Sequence, residues 1–266
     1  MKWILKTVQW IYCLYAFVLF VAIMLLLFPF VLIASLFGKI YGGNAIFRIC
    51  RLWGDILFPL ILIFPKRFFE TPMDETKQYI FVINHTSLLD AGILPQAFHQ
   101  PVRPLAKVEM TRIPIFGFIY KKVTVTVDRS NATNRARSIR ILKSIINKGI
   151  SVVFFPEGTY NQTHQPVKEF YNGAFRVAIE TQTSIKPVLL LDHYDRLRYG
   201  NPFSLKPGRC RIVFLNEVSV AGLSTSDTNS LKQKVVQIME MKLRQYKASW
   251  IAPSVAHEMN KSEGFK

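Results

Sequence analysis

Cysteine is scarce in this sequence, and acidic residues are fewer than basic ones. Its 266 residues include 3 cysteines, too few for a disulfide scaffold, and Cys13 lies inside an apolar run, as is typical of a reduced compartment. The 17 acidic residues face 34 lysines and arginines, which gives a formal net charge of +17. Half of the residues are hydrophobic, and this excludes intrinsic disorder, which requires low hydrophobicity together with high charge.

A chain that is both apolar and basic favours a partner that is apolar and anionic. A membrane surface meets both demands, whereas nucleic acid meets only the second. The sequence has no zinc-ligand spacing and no recognisable nucleic-acid-binding motif. We therefore expect membrane lipid as a partner, no nucleic acid and no metal site.

The strongest compositional signal is an apolar run near the N-terminus. No charged residue occurs between Lys6 and Lys39, and residues 10–37 would form a helix roughly 42 Å long. Because a bilayer core is only about 30 Å thick, this helix must tilt, kink at Pro29 or lie partly in the interface. The run is also longer than the apolar region of a signal peptide, typically about 7–15 residues.

A second apolar stretch, residues 56–65, is too short to cross a bilayer alone. It predicts the second arm of a shallow hairpin or an interfacial helix. By the positive-inside rule, the basic residues around the two stretches place the following domain on the cytoplasmic face. These residues are Lys39, Arg48, Arg51, Lys66 and Arg67. We expect a membrane-associated segment over residues 1–68, a catalytic domain over 69–252 and a polar tail over 253–266.

After about residue 70 the pattern predicts an α/β domain with a mostly parallel sheet flanked by helices. Short apolar runs alternate with segments of helical periodicity, and several runs are apolar throughout, as is typical of parallel strands buried on both faces. The predicted strands are 79–83, 123–127, 151–155, 186–191 and 211–215. The predicted helices are one that begins near Ser130 or Asn131 and ends before Gly149, one over 170–182 and one over 229–250.

A histidine and an aspartate follow the strand predicted at 79–83. They lie in NHTSLLD, residues 84–90, in which Thr86 or Ser87 is suited to begin a helix. If the chain turns, Asp90 reaches one ring nitrogen of His85 and leaves the other free to act as a base. The spacing is a weak signal alone, and a strand-end histidine beside an unrelated helical aspartate is the alternative.

A second cluster, FFPEGTYN at 154–161, follows the strand predicted at 151–155. Gly158 allows close approach of backbone to a ligand, and Glu157 and Thr159 are able to hydrogen-bond hydroxyl groups. A simple β-turn is the alternative.

A third cluster, Asp128 and Arg129, follows the strand predicted at 123–127. Arginine binds phosphate through two parallel hydrogen bonds, although a surface ion pair is the commoner role. Since all three clusters follow strands, they are expected to face one crevice. No serine or cysteine nucleophile accompanies them, which favours direct transfer to an acceptor hydroxyl over a covalent enzyme intermediate.

The clusters also occur in the order and spacing of four sequence blocks of the glycerolipid acyltransferases. The blocks correspond to NHTSLLD, VTVDRS, FPEGTYN and the Lys-Pro-Val at 186–188, and residues 105–117 resemble the stretch between the first two. The sequence resembles the lysophosphatidic acid acyltransferase (1-acylglycerol-3-phosphate O-acyltransferase) family over about residues 75–220.

This resemblance implies a membrane-bound O-acyltransferase with the glycerolipid acyltransferase fold and an N-terminal hydrophobic helical hairpin. It implies transfer of a fatty acyl group from acyl-CoA or acyl-carrier protein to lysophosphatidic acid, without a cofactor, to give phosphatidic acid. His85 would be the general base and Asp90 its orienting partner. Arg129 would hold the acceptor phosphate, and Pro187 would shape the acyl pocket. The other implied substrate-binding residues are Asn84, Lys107, Glu157, Gly158 and Thr159.

One position departs from the family pattern. The third block usually reads Glu-Gly-Thr-Arg, with the arginine assigned to phosphate, but here Tyr160 stands in its place. Either another cation binds the phosphate, or the acceptor is a different lysolipid or a lyso-amino-acid lipid. The candidate cations are Lys107, Arg112, Lys121, Lys122 and Lys168. A non-catalytic membrane protein that binds anionic lipid is the alternative of another class.

Overall fold

The computed structural model describes residues 2–127 and 132–252. Its helices are α1 (Lys2–Ser35), α2 (Gly43–Leu60), α3 (Leu89–Ala97), α4 (Phe116–Val123), α5 (Ala132–Ile146), α6 (Gly173–Glu180), α7 (His193–Arg196) and α8 (Thr228–Gln245). Its strands are β1 (Ile63–Phe69), β2 (Ile80–Ile83), β3 (Val102–Lys107), β4 (Val125–Val127), β5 (Ser151–Phe154), β6 (Ile185–Leu191) and β7 (Gly208–Phe214).

The strands form one sheet in the order β1-β7-β6-β2-β5-β3-β4. All neighbouring pairs are parallel except β6 and β7. The carboxyl ends of β6, β2, β5, β3 and β4 therefore lie along the same edge of the sheet, where open α/β folds bind their ligands. The predicted fold class, a mostly parallel sheet flanked by helices, is confirmed.

The strands β1 and β3 were not predicted, and the apolar stretch at residues 56–65 was assigned to the wrong element. Residues 56–65 do not form a helical arm of their own: residues 56–60 are the end of α2, and β1 begins at Ile63. The true second arm is α2, whose Arg48 and Arg51 hide it from a search for apolar runs. The boundary expected between residues 68 and 69 falls inside β1, which pairs with β7.

The N-terminal hairpin is confirmed as two helices, and it packs into the same core as the sheet. Helix α1 runs unbroken for 34 residues with Pro29 inside it, so the proline does not end the helix. The ring of Phe20 on α1 meets that of Trp53 on α2 edge-on, with centroids 4.8 Å apart. Cys13 and Ala16 of α1 are buried in a hydrophobic cluster that includes residues of β2, β6 and β7.

The outer face of α1 is a broad apolar surface. In the described part of the chain, α1 is the one helix long and apolar enough to cross a membrane, yet only 22% of its most apolar window is buried. A core helix of a water-soluble protein would be mostly buried. The exposed large side chains of α1 include Trp3, Ile4, Leu5, Val8, Ile11, Leu14, Phe17, Val18, Leu25, Leu26, Phe30 and Ile33.

Candidate active site

His85 and Asp90 meet at the carboxyl end of β2. The chain leaves β2 at Ile83 and turns into α3 at Leu89, and this turn brings His85 Nδ1 within 2.9 Å of Asp90 Oδ2. The His85 side chain is 14% exposed, whereas that of Asp90 is fully buried. No group in residues 2–127 or 132–252 hydrogen-bonds the other ring nitrogen, Nε2, so the predicted pairing is present and leaves one nitrogen available.

Asp90 is fixed by a dense set of donors. Its Oδ2 atom also accepts the backbone N–H groups of Thr86 and Ser87, both at 2.8 Å. Burial alone raises the pKa of the Asp90 carboxyl, but hydrogen bonds from His193 and His85 outweigh it and lower the pKa to about 2. Asp90 is therefore ionised at neutral pH and holds the His85 ring by its charge as well as by its position.

The donor to the second carboxylate oxygen is a histidine that sequence analysis missed. His193 follows β6, the strand beside β2, and its Nδ1 lies 2.8 Å from Asp90 Oδ1. Both side chains are fully buried. The two residues are far apart in the sequence, and no motif links them. The signal available in the sequence was its place just after the strand predicted at 186–191.

The His85 ring is also held by aromatic neighbours. Phe155 stacks on it with centroids 4.3 Å apart, and Tyr160 packs against it at 4.1 Å. Tyr199 in turn packs on Tyr160 at 4.2 Å. Burial raises the pKa of Tyr160 to about 12, so the residue in the family's arginine position stays uncharged at neutral pH.

Glu157 ties the loop after β5 to the end of β2. Its Oε1 accepts the backbone N–H of His85 at 2.8 Å, and its Oε2 accepts that of Lys168 at 2.9 Å. The side chain is fully buried, so its observed role is to position His85 and the loop, where a substrate contact had been predicted. Burial raises the pKa of Glu157 to about 8, against the opposing effect of these two hydrogen bonds.

This pKa predicts a pH dependence of stability. Between about pH 4.5 and 8 the folded protein keeps a proton on Glu157 that the unfolded chain has lost, so the free energy of unfolding should fall as the pH rises. Glu157→Gln has no such proton to lose, and its free energy of unfolding should fall less. Chemical denaturation in detergent at several pH values checks this, and equal slopes in the two proteins would contradict it.

Gly158 and Thr159 form the exposed part of the same loop. Gly158 adopts a left-handed φ of 72°, which favours glycine, and its N–H donates to Phe155 O at 3.0 Å. Thr159 Oγ1 accepts a hydrogen bond from Lys168 Nζ at 2.9 Å. Of the five candidate cations, Lys168 is thus the one seen in contact with the third block.

Asn84, directly after β2, and Pro187, within β6, are both buried. Asn84 is fully buried, and its side-chain amide exchanges two hydrogen bonds with the backbone of Leu190, at 2.8 and 3.2 Å. Pro187 is buried in the middle of β6, opposite Val82 of β2. We expected both to contact substrate, but here Asn84 joins β2 to β6 and Pro187 packs inside the sheet.

The remaining candidate cations lie at the end of β3 or between β3 and β4 in the sequence; they are Lys107, Arg112, Lys121 and Lys122. Lys107 ends β3, is exposed and has its Nζ 3.7 Å from Glu109 Oε1. It is paired in register with Val127, the last residue of β4. Asp128 and Arg129, which follow Val127 in the sequence, lie outside the described residues, as does the predicted tail 253–266.

The described residues include no group of three or more metal-ligating side chains that could hold a metal ion. Burial raises the pKa of the Cys210 thiol to about 12, so it is not a nucleophile at neutral pH. The site contains the imidazole of His85, which is fixed by its contact with Asp90 and has one ring nitrogen available. That arrangement suits removal of a proton from a hydroxyl group.

Residues 66–191 match the Acyltransferase family. The chain is 28% identical to mouse 1-acyl-sn-glycerol-3-phosphate acyltransferase alpha over 163 residues, which are 60% of this chain and 56% of the relative. It is 24% identical to the chloroplastic 1-acyl-sn-glycerol-3-phosphate acyltransferase LPAT1 of Arabidopsis thaliana over 225 residues, 83% of this chain and 60% of the relative. The matched region thus spans little more than half the length of these relatives.

A solved structure shares the fold. The crystal structure of the 1-acyl-sn-glycerophosphate (LPA) acyltransferase PlsC from Thermotoga maritima superimposes with a TM-score of 0.71. The match covers 95% of this chain and 100% of that protein, with 21% sequence identity. The resemblance seen in the sequence motifs is confirmed by these comparisons, and at this identity the structural likeness concerns the fold.

Proposed function

From the premise that this chain carries a domain of the acyltransferase family, we propose that the protein is a membrane-bound O-acyltransferase. It moves a fatty acyl group from acyl-CoA or acyl-carrier protein to the free hydroxyl of lysophosphatidic acid, which gives phosphatidic acid. The observation that carries this proposal is the contact between His85 Nδ1 and buried, ionised Asp90, with Nε2 left available.

The geometry supports direct transfer. The proton of His85 Nδ1 is donated to Asp90, so Nε2 is the acceptor and takes the proton of the lysolipid hydroxyl. The hydroxyl oxygen forms a bond to the thioester carbonyl carbon, the carbon–sulfur bond breaks, and the leaving thiolate takes up the proton held on His85. The charge of Asp90 stabilises the imidazolium that forms on His85 during attack.

The acceptor is tested with purified protein and a panel of lysolipids. The panel contains lysophosphatidic acid, zwitterionic lysophospholipids, a lyso-amino-acid lipid and monoacylglycerol, each with acyl-CoA and with acyl-carrier protein. Product formation from lysophosphatidic acid supports the proposal. Transfer confined to another lysolipid would reassign the acceptor, and binding of anionic vesicles without transfer to any acceptor would favour the non-catalytic alternative.

Membrane attachment follows from the surface of α1. Burying a large apolar side chain is worth about 1.5–3 kcal/mol, and α1 exposes many of them. An enzyme held at the interface receives a lysolipid without drawing its acyl chain into water. Exposing that chain would cost about 0.8 kcal/mol per CH₂. We propose that α1 lies in the membrane and that the sheet domain faces the cytoplasm.

Two charges on this surface should weaken membrane binding. Ile11→Glu with Val18→Glu places carboxylates among lipid chains, which costs about 2.5–3.5 kcal/mol per charge at the centre of a bilayer. We expect the fraction bound to liposomes in high salt to fall several-fold. The matched control, Ile141→Glu with Met241→Glu, adds the same charges at exposed apolar positions of α5 and α8 and should bind like the wild type.

Equal binding of the two double variants would contradict the assignment to α1. Deleting residues 1–65 is a poorer test, because it removes buried Phe47 and Phe58 and the first three residues of β1. Such a protein loses core packing as well as its membrane surface.

A further inference from the structure

Asp90 is held between two histidines, of which only His85 is used by the proposed reaction. His85 Nδ1 lies 2.9 Å from Oδ2, and His193 Nδ1 lies 2.8 Å from Oδ1. The two contacts differ in access: the His85 side chain is 14% exposed, whereas that of His193 is fully buried. His193 is therefore out of reach of a substrate, and any influence it has on the reaction passes through Asp90.

The position of His193 is set by the turn that precedes it. Asp192 adopts a left-handed conformation (φ 70°), and its carbonyl accepts the N–H groups of Asp195 and Arg196. Its carboxylate receives two side-chain hydrogen bonds from Arg211 of β7, at 2.7 and 2.8 Å. An aspartate in this strained region, tied to the neighbouring strand, fixes the direction in which the next side chain enters the core.

The surroundings of His193 fix where its proton lies. Its Nε2 atom is buried and has no hydrogen-bond partner among the described residues. The ionised carboxylate of Asp90 only accepts hydrogen bonds, so the ring nitrogen that faces it, Nδ1, carries a proton and donates it to Oδ1. His193 thus orients the carboxylate behind His85.

We propose that His193 is a positioning residue for Asp90, acting as a hydrogen-bond donor that fixes the carboxylate behind His85. The proposal rests on the acyltransfer reaction proposed above. Two substitutions of His193 distinguish this role from one in which the ring only fills space in the core. Asparagine retains a donor near the place of Nδ1, whereas leucine fills the space without one.

The expected result is an order of activities. His193→Leu should lower kcat roughly 10- to 100-fold with little change in KM, the range known for residues that orient the ligands of catalytic metals. His193→Asn should keep most of the wild-type kcat. A packing role predicts the reverse, because a fully buried position tolerates leucine better than an amide.

A double-variant cycle tests whether the effect passes through Asp90. In the Asp90→Asn background the carboxylate charge is already lost, so His193→Leu should cause little further loss of kcat. A second readout is independent of turnover: the low-field proton resonance of the His193 Nδ1–H group should be present in the wild type and absent from His193→Leu. Thermal unfolding of each variant in detergent establishes that it is folded.

Three results would overturn the proposal. They are a folded His193→Leu protein with wild-type kcat, His193→Asn impaired as strongly as His193→Leu, or an undiminished loss in the Asp90→Asn background. If His193→Leu does not fold, His193→Asn and the proton resonance of the wild type decide. A wild-type protein that transfers no acyl group, or a fully active His85→Ala variant, refutes the proposed function instead, and the resonance still reports on the hydrogen bond.

Discussion

Replacing His85 by alanine should lower kcat for acyl transfer by roughly 10²- to 10⁴-fold, the contribution typical of a positioned general base. The reason is geometric, since His85 is the histidine whose ring pairs with Asp90 while also reaching the surface of the site. The backbone N–H of His85 donates to Glu157 and does not depend on the side chain, so the loop should keep its place. The measurement is initial rate at saturating lysolipid and acyl donor.

His99→Ala is the matched control. His99 is partly exposed and contacts Glu75 and Arg67, the latter in the edge strand β1, so its loss should leave kcat unchanged. Residual turnover of His85→Ala near the wild-type rate, in a protein with wild-type thermal unfolding, would exclude His85 as the base. An equal loss in both variants would indicate a general effect of the substitutions on folding.

The sheet could be predicted because its central strands are mostly apolar. Of the strands that were found, β2, β5 and β6 are buried on both faces, and their composition shows it directly. The two missed strands lie outside this centre. Lys66 and Arg67 interrupt β1 at the edge of the sheet, and Arg103 interrupts β3 although its side chain is buried beside Asn44 of α2. In the sequence, a charged residue inside a strand suggests a loop, because its partners in the folded protein are not visible there.

The site was predicted where its parts are close in the sequence. His85 and Asp90 are five residues apart, so a turn after a strand was enough to bring them together. His193 joins them only because β6 pairs with β2, and the sequence does not reveal which strands are neighbours in the sheet. The hydrogen bonds of Glu157 could not be predicted for the same reason, since its partners are backbone groups of His85 and Lys168.

The same limit applies to the missing arginine at position 160. The sequence offered five cations as substitutes, and the structure places Lys168 Nζ 2.9 Å from Thr159 Oγ1, next to Tyr160. The backbone N–H of Lys168 is held by Glu157, so the base of this side chain is fixed within the loop. We therefore expect Lys168 to supply positive charge to the acceptor phosphate, alone or together with Arg129.

Lys168→Met keeps the length of the side chain and removes its charge. It should lower kcat/KM for lysophosphatidic acid roughly 10- to 100-fold, which corresponds to the loss of one hydrogen bond between charged groups. Transfer to monoacylglycerol, which has no phosphate, should change little. Lys168→Arg keeps the charge and should stay close to the wild type on both acceptors, and kinetics with each acceptor varied separately measure the difference.

The decisive variant restores the charge at the neighbouring position. Tyr160→Arg in the Lys168→Met background places a guanidinium where the family usually has one, so preference for lysophosphatidic acid over monoacylglycerol should return. The ratio of kcat/KM for the two acceptors is the quantity to compare, because loss of the Tyr160 ring from His85 affects both reactions alike. If Lys168→Met lowers kcat/KM equally for both acceptors, Lys168 stabilises the loop and does not bind the phosphate. If the ratio falls but Tyr160→Arg does not restore it, the phosphate lies beyond the reach of position 160, on the side of the crevice where β3 and β4 end.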